Sequence, residues 1–141
     1  MKSVNFLIIF FFILNISINA QTIPITFTDC IYDMFFVTAR TTPEWKEINM
    51  NLTTYLTKKL QNYNTFKNVN GKILLGILIF ENGKTCCHSF TNMTGTDLDP
   101  EVFKKIVNEM PDWKPAKQDG KPIIFLKHLV INIKDGEIIS D

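Results

Sequence analysis

The sequence predicts an α+β fold, two-layered with a small antiparallel sheet, on three observations. Two segments carry apolar residues at helical spacing behind a cap-and-proline start. An alternating run from Lys72 to Phe80 leads into Asn82-Gly83, and a long apolar run from Ile123 to Ile133 follows the second helix. The resulting order is helix, strand, hairpin turn, strand, helix, strand.

A chain of 141 residues allows one domain with a modest core. Its first twenty residues read as a secretory signal peptide: one basic residue, the apolar run Phe6 to Leu14, and Ala20 ahead of Gln21 as the cleavage point. Against the ~20 apolar residues that a bilayer span needs, this run is short, and Asn15 and Asn19 interrupt it. The expected organisation is therefore a signal peptide at 1–20, a lead-in segment at 21–42 and the folded domain at 43–141. Removing the leader takes away one Lys and no acid, leaving 14 basic residues against 14 acidic ones. A neutral domain lacks the basic footprint of a nucleic-acid binder.

The lead-in mixes alternation at Ile23, Ile25 and Phe27 with the apolar cluster Ile31 to Val37, and is expected to pack on the domain as extended chain. Thr42-Pro43-Glu44 has the form of a helix start, with a hydroxyl cap, proline in the first turn and an acid beside it. Trp45, Ile48, Leu52, Tyr55, Leu56 and Leu60 then fall on one stripe, so the first helix is expected from Pro43 to Leu60. The Asn-rich stretch 62–71 reads as a loop.

Lys72 to Phe80 is apolar on both faces, as a central strand must be. Asn82-Gly83 is the two-residue hairpin signal in which both central residues take positive φ, and Thr85 to Phe90 is the returning strand. Asp99-Pro100-Glu101 starts the second helix, whose stripe is Val102, Phe103, Ile106, Val107 and Met110, and Pro111 stops it. In the connector that follows, Pro115 and Pro122 stiffen the crossing, Asp119-Gly120 makes a tight turn, and Trp113 is placed to cover a core seam.

The block Trp113, Lys114, Pro115, Gly120, Lys121 and Pro122, set between a helix and a strand, resembles the C-terminal domain of TonB. Gly71 before the alternating strand and Gly95 to Pro100 ahead of the second helix agree with that resemblance, which spans Pro43 to Ile133. It implies a protein-protein interaction module of the Gram-negative periplasm, linked to transmembrane transport. The partner would be a segment of an outer-membrane transporter, added as an extra strand to the edge of the last strand. The side chains Ile123, Phe125, Lys127, Leu129, Ile131 and Ile133 mark the expected partner-binding strand, and the same edge offers a homodimer contact. The chain has no Pro-rich spacer, and Tyr63 is followed by Asn64 where many family members have a Tyr-Pro pair. A free-standing adaptor is thus expected in place of a full energy transducer, the alternative being a transducer anchored by an uncleaved leader.

No catalytic residue, cofactor or metal is expected. Cys86-Cys87-His88 invites a thiol or metal reading, and a small periplasmic thiol protein is a further alternative. On a strand, however, Cys86 and Cys87 point to opposite faces, so three ligands do not converge. In an oxidising compartment Cys30 is expected to pair with either Cys86 or Cys87. His128, mid-strand between Leu126 and Val130, reads as a structural histidine, and two histidines yield no Ser/His/Asp set.

Overall fold

The computed structural model describes residues 22–139, so the signal-peptide reading of 1–20 lies outside the described residues. In chain order the elements are β1 (Ile25–Thr26), β2 (Glu44–Trp45), α1 (Leu52–Leu60), β3 (Gly71–Ile79), β4 (Thr85–Met93) and α2 (Pro100–Asn108). There follow β5 (Trp113–Lys114), β6 (Lys117–Gln118), β7 (Lys121–Pro122), β8 (Phe125–Lys134) and β9 (Glu137–Ile139). The main sheet has five strands in the order β1-β4-β3-β8-β9, every neighbouring pair antiparallel. The fold class is α+β.

The central position of β3 explains its two apolar faces. Toward the helices, Ile73, Leu75, Ile77 and Ile79 are fully buried with Phe90 of β4 and Ile131 and Ile133 of β8. Helix α1 adds Tyr55, Leu56 and Leu60, and α2 adds Phe103, Ile106 and Val107. The Phe103 ring lies 4.7 Å from Phe90 and 5.5 Å from Phe66, and the Tyr55 hydroxyl donates to the Ile106 carbonyl at 3.1 Å, tying one helix to the other. On the opposite face a smaller core of Cys30, Leu78 and Leu126 is flanked by Phe35, Phe80 and Ile124. Burial on both faces is what its nearly continuous hydrophobicity requires.

Helix α2 begins where its sequence says: the Asp99 carboxylate accepts the Glu101 N–H at 3.0 Å, with Pro100 in the first turn. The first helix does not. It starts at Leu52, where the Asn51 side chain caps the Thr54 N–H at 2.8 Å, nine residues beyond Pro43. Glu44 and Trp45 instead pair with Lys114 and Trp113 as β2 and β5. The Trp45 indole donates to the Met50 carbonyl at 2.6 Å, and its ring meets Trp113 edge-on at 5.4 Å. Ile48, expected on the buried stripe, is 96% exposed. Two indoles that can cover one another outweigh a weak cap-and-proline signal.

Further differences are local. The hairpin between β3 and β4 is longer than two residues: Phe80 and Lys84 pair through the backbone, and only Gly83, at φ +84°, has positive φ. The Asn82 carboxamide accepts the Lys84 N–H at 3.0 Å instead. The register of β4 slips between Gly76 and Ile77 of β3, leaving His88 unmatched in a bulge. The last long strand begins at Phe125, Ile123 and Ile124 lying before it, and after the turn at Asp135-Gly136 the chain returns as β9. In the connector, β6 and β7 form a small hairpin about Asp119 (φ +50°) and Gly120 (φ +79°), the expected tight turn.

Candidate functional site

The long strand β8 pairs along its whole length with β3, from Phe125 opposite Ile79 to Ile133 opposite Gly71. Among the described residues, its other side is covered at its two ends. At one end the Phe36 N–H donates to the Ile124 carbonyl at 2.9 Å, and the Leu126 N–H donates to the Phe36 carbonyl at 2.8 Å. At the other, β9 pairs with Asn132, Ile133 and Lys134. In an antiparallel ladder the backbone groups of successive residues point to alternate sides. Because Leu126 faces outward, so do His128 and Val130, and among the described residues nothing pairs with their outward N–H and C=O groups. Both side chains are exposed, Val130 by 47%.

The side chains expected to meet a partner are placed differently. Phe125, Ile131 and Ile133 are buried, Leu129 packs against the helix-side core, and Ile123 lies outside β8 with its N–H on the Ala116 carbonyl at 3.0 Å. The Lys127 ammonium sits 5.8 Å from the centre of the Trp113 ring. These alternate residues hold the strand to the domain; the open backbone belongs to the residues between them. His128, read as a satisfied structural histidine, is exposed because the lead-in chain covers the opposite face only as far as Leu126.

The connector aims β8 at that position. Trp113 is 3% exposed and anchors the connector to β2, while Ala116 is fully buried. Three of its charges are paired: Lys114 lies 3.0 Å from Glu44, Asp112 2.7 Å from Lys84 and Asp119 3.7 Å from Arg40. The hydrogen bond from Lys84 holds the Asp112 carboxyl below the usual carboxylate range.

Cys30 and Cys86 form a disulfide, which settles the choice between Cys86 and Cys87. Strand alternation is the physical reason: Cys86 faces the lead-in chain, whereas Cys87 is buried in the helix-side core. Burial pushes the Cys87 thiol up to about 12, leaving it almost no thiolate at neutral pH. The His88 ring reaches back over the lead-in, its Nδ1–H donating to the Cys30 carbonyl at 2.9 Å, and it meets Phe35 edge-on. Cys86 and His88 are thus both spent on Cys30, one at its sulfur and the other at its carbonyl, and Cys87 on the helix-side core.

Sequence reasoning missed Phe36, whose two edge bonds carry no motif, and β9, which is a three-residue strand. Together these features define a disulfide-linked α+β domain whose β8 edge is partly open among the described residues. No family model, curated protein or solved structure matches the chain.

Proposed function

We propose that this chain is an exported protein-binding module of the TonB C-terminal type that makes or breaks no covalent bond. It acts in the periplasm by accepting an extended segment of an outer-membrane transporter at the free side of β8. The observation that carries this reading is the outward backbone of His128 and Val130, unpaired among the described residues, since such groups take up an added strand. The Trp113 to Pro122 block and the succession of α1, β3, β4, α2 and β8 agree with it.

The test is capture of transporters from outer-membrane extracts by purified residues 21–141 at low salt, with Val130→Pro alongside. Proline removes one outward N–H and no bond to β3. Recovery of a transporter by the native protein and its loss with the variant is the expected result. Recovery of none, or equal recovery by both proteins, overturns the reading.

A further inference from the structure

We infer that the segment Cys30 to Thr41 is a strap that closes one end of the β8 edge and is released by reduction of the Cys30–Cys86 disulfide. The inference rests on the reading of β8 as a docking edge. The strap already occupies that edge as a partner would: Phe36 bridges Phe125 in parallel, filling the outward groups of Ile124 and Leu126. Among the described residues, a docking strand therefore has the outward groups of His128 and Val130 available while the strap is seated.

Apart from the disulfide, the strap is held by surface contacts: the Tyr32 ring lies 5.0 Å from Phe80, Phe35 meets His88 edge-on, and Phe36 makes its two backbone bonds. Ile31, Tyr32, Met34, Phe36 and Val37 are all exposed, Met34 by 83%, and within the strap Cys30 is fully buried and Phe35 half-buried. The distal end is tied by the backbone pair of Thr41 and Lys117 and by Arg40, whose N–H donates to the Gln118 side chain and whose guanidinium lies 3.7 Å from Asp119; the near end is tied by the disulfide and the His88 bond to Cys30. A segment with so few buried contacts opens at low cost once its covalent link is gone. Opening would extend the free edge from His128–Val130 back to Ile124 and uncover Leu78 and Leu126, which supply an apolar surface for the added strand.

The reductant is a dithiol. Its first thiolate attacks Sγ of Cys86, the less buried of the two cysteines, and Sγ of Cys30 leaves as a thiolate that takes up a proton. The second thiolate attacks the mixed disulfide, releasing Cys86 as a thiol and oxidising the dithiol to its own disulfide. Two electrons pass to the protein, and the reverse exchange with a disulfide-bonded oxidant, which is itself reduced to a dithiol, takes them back and closes the strap.

Residue-resolved amide hydrogen exchange on the oxidised chain and on the chain treated with dithiothreitol tests this, with alkylation confirming that Cys30 and Cys86 are both free. On reduction the Leu126 amide should lose at least about tenfold more protection than the Leu75 and Ile77 amides of β3, which follow only the fall in global stability. Unchanged protection at Leu126 overturns the inference, as does a parallel loss at Leu75, which would make the disulfide a support of the whole domain. Phe36→Pro, which lacks the N–H donated to Ile124, should accelerate Leu126 exchange with the disulfide intact. If it does not, Phe36 is no closure. These rates require no partner, so they stand or fall separately from transporter capture.

Discussion

Gly83 and Trp113 lie in direct backbone contact, the Trp113 N–H donating to the Gly83 carbonyl at 2.9 Å. The contact joins the β3–β4 turn to the start of the connector, and so fixes where the chain leaves α2 for β8. Gly83 sits at φ +84°, and a Cβ there would fall inside the Trp113 carbonyl oxygen.

Gly83→Ala should therefore destabilise the domain by about 2–4 kcal/mol, combining a left-handed conformation with a backbone clash. Gly120→Ala is the control, because Gly120 has a similar φ of +79° and open space around its Cα. It should cost about 1 kcal/mol. Urea midpoints measure both, and equal losses would mean that the Trp113 contact is irrelevant.

The position of the first helix start separates two caps. Asn51→Ala removes the side chain that accepts the Thr54 N–H and should cost about 1 kcal/mol. Thr42→Ala, at the start read from sequence, should stay within about 0.5 kcal/mol. Thermal unfolding of the two variants decides, and a larger loss at Thr42 would place the helix start there after all.

Alternation along β8 makes neighbouring prolines unequal. Val130→Pro deletes an outward N–H and should leave the fold within about 1 kcal/mol of native. Leu129→Pro deletes an inward donor opposite Leu75 and should cost about 3 kcal/mol or more. Circular dichroism with denaturant titration reads the difference, and equal tolerance would contradict the register.

The disulfide spans 56 residues of sequence. Chain-entropy reasoning gives it about 4 kcal/mol, so Cys30→Ser with Cys86→Ser should lower stability by up to that amount. Cys87→Ser leaves the disulfide in place and acts through the helix-side core alone. The urea midpoints of the three proteins, native, double variant and Cys87→Ser, should show losses of different origin, with the m-value changing only when the cross-link goes. An unchanged m-value in the double variant would count against a constrained unfolded state.

Lys104 bridges the strap region to α2 through Asp29 at 3.0 Å, and this hydrogen bond holds the Asp29 carboxyl below its usual range. A lowered native pKa means stabilisation that is fully present above the ordinary aspartate value of about 3.9 and lost as pH falls through the native value. Asp112 beside Lys84 behaves alike. The denaturation midpoint of the native protein should drop below about pH 4, and Asp29→Asn should flatten that drop. Parallel pH profiles for the two proteins would exclude a contribution from Asp29. At the alkaline end the raised pKa of Lys104, caused chiefly by its hydrogen bond to Asp29, makes the same pair lose strength as pH rises through it.

Much of the fold was legible because its signals are local. Asp99 and Pro100 start α2 through groups two residues apart, and the apolar faces of β3 follow from its alternation. The turn at Asp119-Gly120 needs only its own two residues. Trp45 misled because its spacing fits a helix while its ring belongs to Trp113, 68 positions further along the chain. For β8 the apolar run shows a strand, but which of its backbone groups stay open, those of His128 and Val130 among the described residues, depends on what crosses its edge.

The sequence by itself determined the α+β class, the central strand, the second helix and the connector turn, since propensity, periodicity and capping act within a few residues. Tertiary structure decided the start of α1, the partner of Cys30 and the covered ends of β8. Each of those depends on which distant groups meet: Trp45 with Trp113, Cys30 with Cys86, Phe36 with Ile124 and Leu126. Such meetings are set by how the strap crosses the sheet and how β2 pairs with β5, and no local pattern encodes either.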